Sequence, residues 1–205
     1  MPKTIKNIYD NSVSFENLLK AHKKARCGKR EKKKIILFEL KLEQELLELE
    51  KQLKNGTYKH GGYTKFKIYE PKERIIMASE YKDRVVHQWY VEKFIKPYFV
   101  PQFISTSYAG IEGRGMHEAS KDVQKAMRSA KSKWKNYYIL KMDVTKYFQN
   151  IDKRILWEIL KRKMKDKKLL WLTREILLST EGMVGLPLGN YISQISCLLS
   201  QLQQS

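Results

Sequence analysis

Residues 137–144, YYILKMDV, form an apolar run of strand length that closes on an acid, Asp143. A run of this kind, without alternation, is the pattern of a central strand. The segments around it supply the rest of the fold. In YTKFKIYEPKERIIM (63–77), Phe66 and Ile68 alternate with Lys65, Lys67 and Tyr69, which reads as a strand. Glu70-Pro71-Lys72-Glu73 can turn, and Arg74 to Met77 begin a return strand. The stretch from Ile35 to Tyr58 carries Leu37, Leu40, Leu46, Leu47, Leu49 and Leu53 among Glu and Lys, and predicts one amphipathic helix stopped by Asn55-Gly56. Asp83 is expected to cap a helix with Val86, Trp89, Tyr90 and Phe94 on one face, ended by Pro97. A later helix should turn Ala119, Val123, Ala126 and Met127 inward. Asp152 can cap another through Ile155, Leu156, Ile159 and Leu160, followed by one from about Lys167 to Leu178 and a last apolar helix. No internal repeat is visible. The mixed order of helices and strands favours α+β over a regularly wound α/β sheet.

The chain has 41 Lys and Arg against 22 Asp and Glu in 205 residues, a formal charge of +19. A chain this basic repels itself unless it meets a polyanion, so nucleic acid is the natural partner. Residues 20–34 alone, KAHKKARCGKREKKK, hold nine basic residues and one acid, either a solvated face or part of that contact. Cys27 and Cys197 form no framework and no ligand cluster, which excludes a disulfide scaffold and a Cys-type zinc site. No segment approaches the ~20 apolar residues of a membrane span, and MPKTIKNIYD lacks an apolar signal core. The expectation is a soluble, cytoplasmic protein with no membrane partner.

Asp143 is the most informative candidate for chemistry. A carboxylate at a strand end, beside the Val144 carbonyl, offers oxygen ligands to a hard divalent cation. The alternative is an acid that merely caps or turns the chain. Lys72 and Arg74 can share one face of a hairpin arm and could grip phosphate, or only water. Gly110, Gly113 and Gly115 precede a helix without the GK[ST] of a Walker loop. Arg84, His87 and Gln88 lie opposite the apolar helix face, and four histidines without paired spacing make no metal site.

LKMDVTKYFQNID resembles motif A of reverse transcriptases, and GLPLGNYISQ resembles their motif B. Upstream, FKIYEPKERII, YKDRVVHQ and ISTSYAGIEGRGMHEA resemble their fingers motifs, in the same order. The blocks span Phe66 to Gln194, about two thirds of the chain. The resemblance implies a right-hand polymerase: a basic helical extension over 1–55, fingers over 56–135, and a partial palm over 136–205. It implies RNA-directed DNA synthesis on an RNA template, from a DNA or RNA primer and dNTP, with Mg2+ held by Asp143 and the Val144 carbonyl. Lys72 and Arg74 match residues that hold the incoming triphosphate. Phe148 matches a steric gate against a ribose 2′-hydroxyl. Arg84, Gln88, Arg114 and Gln194 match template contacts, and Leu188 and Gly189 lie under the nascent pair.

Most reverse transcriptases carry QGxxxSP in motif B, where this chain reads LGNYISQ, Leu188 to Gln194. That variant resembles diversity-generating retroelement enzymes, which copy RNA with frequent errors at adenine and work with a small basic accessory protein. Leu188 cannot offer the amide hydrogen bonds of Gln, a loss of ~1 kcal/mol in discrimination. Motif C, a Tyr-x-Asp-Asp turn, is missing: no Asp-Asp pair occurs in the sequence. The expectation is therefore a chain truncated before motif C and thumb, inactive by itself, whose motif A strand and motif B helix lack neighbours and expose apolar surface. Two other readings stand beside the enzyme: a non-catalytic RNA-binding fragment, and a reverse-transcriptase-like phage-defence protein.

Overall fold

The computed structural model describes residues 4–70 and 73–187. Helices α1 (Tyr9–Ser12), α2 (Phe15–Ala25), α3 (Lys33–Glu39) and α4 (Leu42–Asn55) come first. A hairpin of β1 (Tyr63–Ile68) and β2 (Arg74–Ser79) follows, then α5 (Tyr81–Tyr90), a π-turn (Val91–Ile95), α6 (Lys96–Phe99) and a 3-10 turn (Val100–Gln102). The remaining helices are α7 (Met116–Lys133), α8 (Tyr147–Asn150), α9 (Lys153–Lys163) and α10 (Lys167–Leu177). The hairpin is antiparallel, with Tyr63 opposite Ser79, Phe66 opposite Ile76 and Ile68 opposite Arg74. The α+β reading and the hairpin around residues 69–73 agree with this order.

The core is helical. Tyr9, Trp89 and Phe94 meet ring to ring, Tyr9 stacked on Phe94 at 6.1 Å and edge-on to Trp89 at 5.8 Å. The Trp89 indole N–H donates to the Ser12 carbonyl at 3.0 Å, so the polar edge of a buried ring is satisfied. Behind it, Phe38, Tyr81 and His22 form a second aromatic group, with the Tyr81 hydroxyl 3.0 Å from His22 Nδ1. Residues 5–9 strap the N-terminal segment to the connection between α9 and α10. The Ile5 N–H donates to the Lys163 carbonyl at 2.8 Å, the Lys165 N–H to the Ile5 carbonyl at 2.9 Å, and Tyr9 N–H to Asp166 at 3.1 Å. Ile5 is itself fully buried, as is Met164 opposite it.

Several expectations change on contact with the fold. The leucine-rich stretch is two helices, not one. Ile35 and Phe38 of α3 pack toward α5, whereas Leu46, Leu49 and Leu53 of α4 pack toward α2, and the chain bends at Lys41 to serve both. Gly56 stops α4 as expected, in the left-handed conformation at φ 69°. Asp83 lies inside the first turn of α5 and does not cap it. Pro97 does not end the helical path. The preceding turn widens so that the Lys96 N–H reaches the Val91 carbonyl, five residues back, and Pro97 opens α6 where its missing N–H is harmless. Helix α7 buries none of its side chains, so Val123 and Met127, expected inward, face outward at 55% and 37% exposure.

Residues 137–144 form no strand. A strand is held by ladder bonds to a neighbour, and among the described residues the only sheet is the β1–β2 hairpin. The expected exposure of this segment is found: Tyr138 is 95% exposed and Met142 81%.

Candidate functional site

The base of the hairpin is built around a buried acid. Asp83 has no solvent exposure and accepts from the Tyr58 hydroxyl at 2.7 Å and the Gly61 N–H at 3.0 Å. A side chain at position 61 would sit 2.7 Å from Glu80 Oε2 and 2.9 Å from Asp83 Oδ2, so only glycine allows this approach. Burial raises the Asp83 carboxyl above the usual carboxylate range, against the His60 charge and the Tyr58 bond, which lower it. His60 Nδ1 lies 2.6 Å from the Gly61 carbonyl, which can only accept, so Nδ1 carries a hydrogen. His60 Nε2 lies 3.1 Å from His87 Nε2, within hydrogen-bond reach. Burial pushes His87 down to about 3. His87, expected opposite the apolar face of its helix, is thus a core histidine, because the α5 face that carries it is covered by the hairpin base.

This network reaches the far end of the chain through Tyr63. Its ring stacks on His60 at 5.0 Å, and its hydroxyl lies 2.8 Å from Ser179 Oγ. Ser179 spends its own hydrogen on the Ile176 carbonyl at 2.7 Å, so Tyr63 is the donor between them.

Beyond Ser179 the chain turns back against the segment that follows Asp143. The Leu186 N–H donates to the Phe148 carbonyl at 2.8 Å, the Gly185 N–H to Ile151 at 2.9 Å, and the Lys153 N–H to Met183 at 2.9 Å. Asp152 and Val184 make an antiparallel bridge between them. Gly185 has φ 95°, and a Cβ there would stand 3.3 Å from the Gln149 carbonyl. Lys153 locks the turn. Its buried ammonium donates to the Thr180 carbonyl, Thr180 Oγ1 and the Gly182 carbonyl, each at 2.8 Å. Desolvation lowers its pKa.

A cleft of about 520 Å³ opens where these parts meet. Tyr63, Lys65 and Met77 form the hairpin wall, and Gln149, Thr180, Glu181 and Gly185 the opposite one. Hairpin alternation places Tyr63, Lys65 and Met77 on one face. Arg74 is on the other, with Phe66 and Ile76, at the exposed tip end. Lys65 was not singled out in the sequence, where it is one of many lysines; strand parity was the signal that could have found it.

The remaining candidates lie as follows. Phe148 is half-buried against the core, edge-on to Tyr147 at 5.8 Å, one residue before the cleft-lining Gln149. Val144 borders a smaller hollow of about 260 Å³ with Tyr147 and Asn150. Asp143 is exposed and lines neither hollow. Arg84 donates to the Ser79 carbonyl at 3.1 Å, and Gln88 to Glu92 at 3.3 Å. Arg114 donates to the carbonyls of Ile104, Ser105 and Ser107 at 3.3–3.4 Å, holding its own loop. Lys72, Leu188, Gly189 and Gln194 lie outside the described residues. Among the described residues no group of three or more His, Cys, Asp or Glu side chains is placed to hold a metal ion, so Asp143 with the Val144 carbonyl does not complete a magnesium site there. No described helix is long and apolar enough to cross a membrane.

No protein-family model matches the chain, and no curated protein does. Solved structures do. A "Partial Cas6-RT-Cas1--Cas2 complex" matches at TM-score 0.56 and 18% identity, over 97% of this chain and 34% of that one. A "Cas6-RT-Cas1--Cas2 complex" matches at TM-score 0.56 and 18% identity, over 97% of this chain and 21% of that one. The chain therefore spans about a third or less of the chains it resembles. At this identity the likeness is one of fold, and the fold is reverse-transcriptase-like.

Proposed function

We propose that this chain is the nucleotide- and template-holding part of an RNA-directed DNA polymerase, of the diversity-generating retroelement type. The observation that carries the reading is the cleft. The segment after Asp143 hydrogen-bonds to the 183–186 turn, and the hairpin base closes over both through Tyr63 and Ser179. Residues flanking the fingers-like block, Gln149 of the motif A-like block and Gly185 to Pro187 of the motif B-like block thus line one concave site, although they are far apart in sequence.

In this reading dNTP enters the cleft. Lys65 meets its phosphates from the hairpin wall, and Lys72 and Arg74, the second on the other face of the hairpin, stay assigned to the triphosphate by the motif resemblance alone. Phe148 sets the sugar preference, and Leu188 and Gly189 support the nascent pair. Arg84, Gln88, Arg114 and Gln194 lie along the RNA template. Asp143 and the Val144 carbonyl contribute to a two-metal magnesium site whose remaining carboxylates are absent from this chain. The primer and a small basic accessory protein are the further partners. Charge favours a second reading, an RNA-binding fragment without catalysis, because +19 attracts phosphate with no active site at all.

Sugar discrimination separates the two. Competition of dATP and ATP for the intact chain, read by filter binding in magnesium buffer, should favour dATP. Phe148→Ala should bring ATP to parity. Equal binding of both by the unaltered chain removes the polymerase reading and leaves the RNA-binding one.

A further inference from the structure

On the other side of the 179–183 turn from the cleft lies a groove of about 410 Å³ between α9 and α10. One wall is the stripe Arg154, Trp157 and Glu158 on α9. The other is Arg174 and Leu177 on α10 with Leu178 just past its end, and Met183 of the turn lies between the walls. The spacings i, i+3 and i+4 on each helix put these side chains in facing rows. Its volume is within the ~300–1,000 Å³ of small-molecule sites.

The groove pairs an apolar surface with positive charge that the chain does not neutralise. Lys153 is buried at its inner end, and its ammonium meets three neutral oxygens and no carboxylate. Arg174 pairs with no acid among the described residues. Arg154 is held by Asp152 at 2.6 Å on the rim, and Glu158, beside Lys161 at 3.9 Å, is the acid of the lining. An indole beside an unpaired guanidinium suits a flat aromatic ring that carries an anion, the chemistry by which proteins hold unstacked bases.

We propose that this groove is a second nucleotide-binding pocket, taking a nucleobase against Trp157 and its phosphate at Arg174. The pocket shares the 179–183 turn with the cleft: Thr180 and Glu181 face one, Leu178 and Met183 the other. It does not depend on what the cleft binds. The nucleotide comes either free from solution or as an unpaired residue of a strand.

Calorimetric titration of the intact chain with adenosine 5′-monophosphate, adenosine, inorganic phosphate and a single-stranded octa-adenylate tests this. The monophosphate should bind more tightly than adenosine or phosphate. Arg174→Ala should weaken it at least tenfold, and Arg174→Lys should retain part of the affinity. A tighter octa-adenylate assigns the pocket to a strand; a tighter monophosphate assigns it to the free nucleotide. The proposal is overturned if the monophosphate does not bind, if phosphate alone binds as well, or if Arg174→Ala has no effect. Arg174 is exposed, so its variants should keep the fold, which circular dichroism checks.

Discussion

His87 ties pH to stability. Folded, it takes a proton only near pH 3, whereas in the unfolded chain it does so near 6.5. Between those values the unfolded state holds one proton more, so this group's contribution is complete above 6.5 and declines toward 3 by ~1.4 kcal/mol per pH unit. His22, lowered by burial, acts in the same direction. Asp83 acts the other way: its raised carboxyl contributes most below the unfolded value and loses that contribution as pH rises through the folded one. His87→Gln keeps a hydrogen-bonding group beside His60 and removes the titration, so urea melts from pH 6.5 to 4.5 should show a shallower decline than the parent. Equal slopes would place the pH sensitivity elsewhere. Lys153 is the other residue with leverage. Lys153→Met removes three charge-assisted bonds that close the 180–182 turn, and should cost ~2 kcal/mol. For a chain of this size that is a fall of roughly 4–8 °C in melting temperature; an unchanged melt would mean that the turn holds without it. Neither residue announced its role in the sequence. A single His or Lys within a helix gives no signal of burial, since the covering groups come from segments tens of residues away.

Among the elements, those with local determinants were readable. The hairpin follows from alternation and a Pro-containing turn. Gly56 and Asp152 end and begin helices by backbone chemistry confined to a few residues, Asp152 accepting from the Arg154 N–H at 2.8 Å. What periodicity does not contain is the partner. Val123 and Met127 make an apolar stripe on α7 whether or not anything covers it, and YYILKMDV has strand composition whether or not a neighbour completes its ladder. The pairing of 148–153 with 183–186 is likewise long-range, and its one local trace is Gly185. Gly185→Ala meets both a positive φ and the Gln149 carbonyl, so strain of ~1–3 kcal/mol should spread the two segments. Hydrogen exchange at the Leu186 N–H, which now donates to Phe148, should accelerate by at least tenfold. If exchange there is unaltered, the two segments are held together by something other than this contact.

At the scale of the whole molecule, charge and apolar exposure pull against each other. The exposed stretch from Tyr137 to Val144 and the bare face of α7 favour association, while +19 keeps copies apart and recruits polyanions. Both candidate pockets have a cation on their walls, Lys65 in one and Arg174 in the other. On the proposed reading, binding to RNA is driven first by counterion release, and sequence or sugar preference is a smaller increment on top of it. If six or more phosphates are neutralised, affinity for a single-stranded RNA of twenty nucleotides should fall by about three hundredfold or more between 50 and 200 mM salt. Fluorescence anisotropy across that range gives the slope directly. Arg174→Ala and Lys65→Ala should each lower the slope by no more than about one ion, because each removes one charge from a surface with many. A flat salt response would mean that the charge is spent within the protein, and would take the electrostatic basis from both pockets together.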